Sequence, residues 1–273
     1  MKNIKILAIA LSAGIALGAI SGCKKRIQAT VSSVINTEAT TFKATTIAES
    51  SENQESSKEA ESSSAGNESV KMDEAIQERA NTFVSHFVMQ YITRFDRSQA
   101  SVEEYLDFAH IYLKINSDKS IKNEKKGELN FETFTFTKAR EVVGKFFGTA
   151  LDEVKCKTLT APPSTYGDQP AGPFYASGKI YYESADGEGY NNIAVVDSMM
   201  NNGDGTLTLY FTEYTIDYQT YEGLDDNAIK KYFKLTPQEA KADKTLERGA
   251  KGTAVVDVGQ SGDYIMINYR ISK

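Results

Sequence analysis

From Ile76 onward the apolar residues return at steps of three and four, through Ala80, Phe83, Val84, Phe87, Val88, Tyr91, Ile92 and Phe95. On a 3.6-residue period they share one stripe, which predicts a helix over 72–94 with Asp73 or a neighbour as its N-cap. Ser101, followed three positions later by Glu104, has the form of a capping box. Val102, Leu106, Ala109 and Leu113 carry that second helix to about Ile115. Its apolar surface is broad, as expected of a helix packed on two sides. The lysine-rich stretch 117–130 reads as a loop and 131–136 as a short strand. Thr137 then opens a third helix with Ala139, Val142, Val143, Phe146 and Phe147 inward, and Gly148 is placed to close it.

Beyond residue 150 the period changes from 3.6 to 2, and glycine-rich turns appear at hairpin spacing. The predicted strands are 154–160, 174–184, 191–199, 205–218, 228–235, 252–258 and 263–271. Asp186-Gly187-Glu188-Gly189, Asn202-Gly203-Asp204-Gly205 and Gly259-Gln260-Ser261-Gly262 read as turns between them. Thr236-Pro237-Gln238-Glu239 is a second capping-box pattern, so a short helix up to Gly249 competes with an extended excursion there. Helices first and strands afterwards predict an α+β domain, with the helices packed on one face of a curved antiparallel sheet. This element order resembles the cone-shaped α+β folds of the nuclear-transport-factor-2-like and cystatin-like groups. The resemblance carries no catalytic positions across, because it rests on order alone.

Ahead of the periodic region, Lys2 and Lys5 precede an apolar run from Ile6 to Ile20, which ends in Ile20-Ser21-Gly22-Cys23. The run is about 15 residues, short of the roughly 20 that span a bilayer, and reads as a targeting segment. Its last four residues resemble the bacterial lipobox. That resemblance implies cleavage after Gly22, a diacylglyceryl group on the thiol of Cys23, and anchoring at the extracytoplasmic face of the cell membrane. From Lys24 to Lys71 the chain is mostly Ser, Thr, Ala and Glu. So little apolar surface cannot offset the entropy of ordering, and a disordered tether is expected. The expected division is a signal peptide over 1–22, a lipidated linker over 23–72 and one globular domain over 73–273. Tethers of this kind resemble those of Gram-positive lipoproteins, and the chain as a whole resembles lipoproteins of Clostridia-like bacteria.

Composition narrows the chemistry. With 31 basic and 37 acidic residues, a net charge of −6 and no basic stripe, nucleic acid is not an expected partner. If Cys23 carries lipid, Cys156 is the one remaining thiol, and no intradomain disulfide can form. Between Lys155 and Lys157 it reads as a half-buried strand cysteine. Metalloprotease, serine acyltransferase and nucleotide-loop motifs find no match in the expected mature region. Asn201–Thr206 lacks the ligand spacing of a calcium loop, and the adjacent carboxylates of Asp225 and Asp226 diverge, so neither metal nor cofactor is expected.

Of the two histidines, His86 falls opposite the first stripe and reads as solvated. His110 lies between Leu106 and the acidic face of Glu103 and Asp107. A carboxylate there could hold the imidazole as a general acid or base; a border histidine with an incidental partner is the alternative. Tyrosine is the other bias, with 15 in all, 12 of them from Tyr166 onward, and no tryptophan. Tyr210, Tyr214 and Tyr218 alternate to one strand face with Thr208 and Thr212 between them, a candidate ligand surface of rings with hydroxyl tips. Tyrosine and threonine also simply fill half-exposed strands. The functional expectation is a membrane-tethered binding or accessory module for a cell-wall glycan, a peptide or a protein partner. The alternative is a small extracytoplasmic enzyme with a cone-like pocket and His110 as its acid or base.

Overall fold

A computed structural model of the chain describes residues 68–127, 129–160, 172–184, 189–259 and 262–272. The signal segment, Gly22, Cys23 and most of the expected linker lie outside these residues. The described residues begin five ahead of the expected domain boundary. Glu68–Ser69 (β1) pairs with residues 200–201, and Val70 and Met72 pack against the core.

The first helix, Glu74–Val88 (α1), starts where the pattern places it, with the Asp73 carboxylate accepting the Ile76 amide at 2.8 Å. It ends six residues early. Tyr91 takes a left-handed φ of 54°, and Arg94–Asp96 (β2) leaves as an edge strand. Phe95, the last residue of the predicted stripe, still reaches the core, but from a strand. Val102–Ile115 (α2) has its capping box formed in both directions. Lys122–Lys126 (β3) occupies part of the expected loop and pairs with Leu129–Thr135 (β4). Phe136–Phe147 (α3) is capped by Thr135 and closed by left-handed Gly148.

Three expected strand segments differ. Residues 154–160 instead contain a one-turn helix, Glu153–Lys157 (α4), because the Asp152 side chain accepts the amides of Val154 and Lys155. Residues 174–184 fold back as Phe174–Ala176 (β5) and Lys179–Glu183 (β6), around Ser177 and Gly178 at φ 50° and 77°. Asn192–Asn201 (β7) and Thr206–Ile216 (β8) form the expected hairpin, followed by Tyr218–Glu222 (α5). The stretch 228–235 is largely helix, Asp226–Phe233 (α6). Thr236 and Glu239 complete their capping box on Pro237–Ala242 (α7). Leu246–Val258 (β9) and Tyr264–Ser272 (β10) close the chain as a hairpin.

The fold is α+β, with its strands divided between two antiparallel sheets. One has the order β1-β7-β8-β9-β10-β2 and the other β3-β4-β6-β5. Consecutive β6 and β7 belong to different sheets, so the connection around 185–188, itself outside the described residues, joins sheets rather than closing a hairpin.

The main core gathers α1, α2, α3 and α4 against one face of each sheet. Phe87 and Phe211 stack on Tyr269 with centroids 5.5 Å away in each case. Gly252 makes this possible, since a Cβ there would lie 2.2 Å from the Phe211 ring. A smaller core lies on the opposite face of the six-stranded sheet. There Tyr232 of α6 and Ala240 of α7 cover Ile193, Val195, Tyr214 and Ile216.

Helix α1 also closes a sheet edge. Gln77, Asn81 and Ser85, spaced four apart, are buried against β7. Asn81 accepts the Val196 amide at 2.7 Å, and Gln77 donates to the Val196 carbonyl at 2.9 Å. Ser85 Oγ accepts the Ala194 amide at 2.9 Å. The helix side chains thus satisfy strand groups that would otherwise be open to another chain.

Candidate functional site

The two sequence-derived sites meet different fates. His110 is buried at 6 % exposure, with Nε2 2.7 Å from Glu132 Oε2. Glu132 comes from β4 and also pairs with Lys114 at 3.0 Å. The imidazole stacks on Tyr182 at 4.0 Å and 12° and lies nearly parallel to Phe134 at 6.0 Å. Asp107 turns to the Tyr182 hydroxyl instead, accepting it at 2.8 Å. Glu103 is exposed and makes no bond to His110 among the described residues. The orienting carboxylate is therefore Glu132, not Glu103 or Asp107. Sequence reasoning missed it because it lies 22 residues away on another element.

Electrostatics agree with a fastening role. The His110 contact, followed in weight by Lys114, holds Glu132 below the usual carboxylate range. Crowding of the Asp107 carboxyl raises its pKa, outweighing the Tyr182 bond. Glu132 borders a shallow concavity with Asn123, Lys125 and Ser184, while Asp107 borders a separate cleft with Gln90, Arg94 and Phe95. His110 lines neither. Its ring stacking and its contact with Glu132 tie α2 to β4 and β6.

Tyr210, Tyr214 and Tyr218 do not act as one surface. Tyr214 is only 4 % exposed, covered by α6 and α7, and Tyr218 lies past the strand in α5. Tyr210, at 42 % exposure, stands where that cover stops. Its neighbours on the same face follow from the register: Ser198 across on β7 and Thr253 across on β9, then Arg270 on β10 and Arg94 on β2. Along the strand, Thr208 is half-buried and Thr212 is buried, donating to Asp197 at 2.7 Å.

The opposite side of these strands is core, as Leu209, Ala254 and Tyr269 show. The outer half of the six-stranded sheet is thus a polar face of threonine, serine, tyrosine and arginine, with no helix over it among the described residues. Parity alone could place Tyr210 on it. Arg94 and Arg270 were not foreseen, because their meeting needs the pairing of β2 with β10.

Two other expectations change. Cys156 is fully buried on α4, not on a strand, and burial with the nearby carboxylates of Asp152, Glu153 and Glu103 pushes its thiol up to about 11. His86 is half-buried rather than solvated, its ring against Tyr112 and Phe146 and its Nδ1 enclosed. Among the described residues, no group of three or more His, Cys, Asp or Glu side chains could hold a metal ion, and no helix is long and apolar enough to cross a membrane. Compared with protein-family models, curated proteins and solved structures, the chain shows no match to any of them.

Proposed function

We propose that this chain is a lipid-anchored binding module of the cell surface, with Cys23 as anchor, the residues up to 67 as spacer and the uncovered half of the six-stranded sheet as the ligand face. The observation that carries the reading is Tyr210, a large ring left 42 % exposed in the middle of a sheet whose other face is fully packed. A rigid sheet holds such a ring with little entropy left to lose, and its face can stack on a sugar or peptide while its hydroxyl bonds. The lipobox-like Ile20–Cys23 supplies the anchor, since two or three acyl chains hold a membrane where one does not.

Co-sedimentation of the full-length protein with purified cell-wall material tests the face. Tyr210→Ala is expected to weaken binding about fivefold, the loss of one aromatic contact, with an unchanged melting temperature. Failure of the wild-type protein to sediment with wall polysaccharide or wall peptide would overturn the reading. For the anchor, fatty-acid labelling should disappear in Cys23→Ser, and label persisting on that variant would refute it.

A further inference from the structure

Resting on that reading of the sheet face, we infer that its ligand is an anionic glycan whose charged group is clasped between Arg94 and Arg270. The two arginines are direct cross-strand partners. Bonds from the Ile271 amide to the Thr93 carbonyl and from the Arg97 amide to the Ile267 carbonyl bracket them. Arg94 and Arg270 therefore occupy a non-hydrogen-bonded site, where opposed Cα atoms approach to about 4.5 Å and side chains are closest. Their neighbours Phe95 and Tyr269 face the core, so by strand alternation both arginine side chains leave on the open face, with Arg94, on the edge strand, also bordering the cleft of Asp107. Like charges at such a site disfavour the sheet. A pair kept there needs a counterion.

The protein supplies one only in part, since the Asp96 carboxylate attracts Arg94 while, among the described residues, no carboxylate pairs with Arg270. Among the described residues neither guanidinium makes an ion pair or a hydrogen bond. The adjacent carboxylate, Asp96, accepts the amide and hydroxyl of Ser98 at 2.9 and 2.7 Å, both on Oδ1, and shares its charge between these bonds and Arg94. Lys251, opposite Ser272 on the next row of the same face, adds a third exposed cation. Two further acids flank the row: Asp257, two rows from the pair opposite Thr206 and Ile265, and Asp197, which accepts the Thr212 hydroxyl at the β7 end.

The rest of the row points to the ligand class. From Arg94 through Arg270, Thr253 and Tyr210 to Ser198 there are four strand spacings, or about 19 Å. Two planar forks for a carboxylate or phosphate stand at one end, with hydroxyls and an exposed ring along the rest. A sugar chain bearing acidic groups matches both parts. An anionic membrane would need apolar side chains around the cations to enter it. Among the exposed large apolar residues, only Tyr210 and Val258 lie on these strands. A nucleic acid would meet three cations on a chain of net charge −6.

The test uses the full-length protein in detergent with polygalacturonate and its fully methyl-esterified, uncharged form as probes. The charged polymer is expected to bind at least tenfold tighter at 50 mM salt, with the difference shrinking at 500 mM. The double variant Arg94→Gln, Arg270→Gln should remove that preference while its melting temperature stays the same or rises, and Lys119→Gln should keep the preference. Equal, Tyr210-dependent binding of both polymers would overturn the anion clasp and leave the ligand face standing. Binding of neither polymer, alongside retained sedimentation with wall material, would overturn the anionic glycan alone. Preference for phosphatidylglycerol vesicles or single-stranded DNA would replace the ligand class, and a melting temperature lowered in the double variant would make the arginines structural.

Discussion

His86 shows how one side chain carries the pH response of the helical layer. Tyr112 of α2 and Phe146 of α3 meet its ring edge-on at 5.0 and 5.4 Å, and its Nδ1 is buried without a partner among the described residues. Burial first, and the Lys145 ammonium second, lower its pKa from 6.5 to about 4. Because the folded value lies below the unfolded one, protonation favours the unfolded chain. Stability is complete above about pH 6.5 and falls as pH drops through 4, by up to about 3 kcal/mol. His86→Phe keeps a ring between Tyr112 and Phe146 and removes the proton site. Urea midpoints measured from pH 7.5 to 4 should fall less steeply for this variant, and parallel curves would exclude the mechanism. A helical projection puts His86 opposite the apolar stripe, and the expectation of solvent there assumes one covered face. Contacts from α2 and α3 are tertiary facts that no local period contains.

At the scale of elements, Asn81 is the joint between α1, β7 and the segment after α6. It is fully buried, and its amide donates to the carbonyls of Phe233 and Leu235 at 2.9 Å each while accepting from Val196. Asn81→Leu adds apolar surface yet leaves those backbone groups without partners, so a loss of about 3 kcal/mol is expected. Denaturant unfolding checks it, and a stabilised variant would show that the edge needs no seal. Elements with local signals were legible in the sequence: both capping boxes, Ser101 with Glu104 and Thr236 with Glu239, are formed. Short ones were not. Within 228–235, Tyr232 is buried and Ile229 packs beside it, three apart, so a strand and a helix fit such a brief apolar pattern almost equally. Strand β3 is Lys-Asn-Glu-Lys-Lys, an edge strand whose charges discourage further pairing and hide it from any hydrophobic pattern.

For the molecule as a whole, Cys156 reports on the integrity of the main core. It is wholly buried and its thiol is pushed up to about 11, so it is both shielded and largely protonated at neutral pH. In Cys23→Ser it becomes the only thiol. Native protein of that variant should resist a thiol-reactive dye at pH 8 for hours, and its labelling in urea should rise with the loss of circular dichroism. Rapid labelling without denaturant would mean that α4 opens on its own. The α+β class was readable because helical and strand periods occupy separate halves of the chain. The division into two sheets was not, because the second sheet pairs β3 and β4, from the helical half, with β6 and β5, while β1 and β2, two and three residues long, cross to the edges of the first. The brevity of β1 has a mechanical meaning. Among the described residues, the pairing of Glu68 and Ser69, the bond from the Val70 amide to the Met199 carbonyl and the packing of Val70 and Met72 hold the chain's entry to the sheet edge. Tension arriving through the preceding residues would strip this short seam before it reached α1, releasing the six residues 68–73, or about 20 Å of slack. The first yield under force is then a reversible lengthening at residues 68–73, with the helices and both sheets still folded.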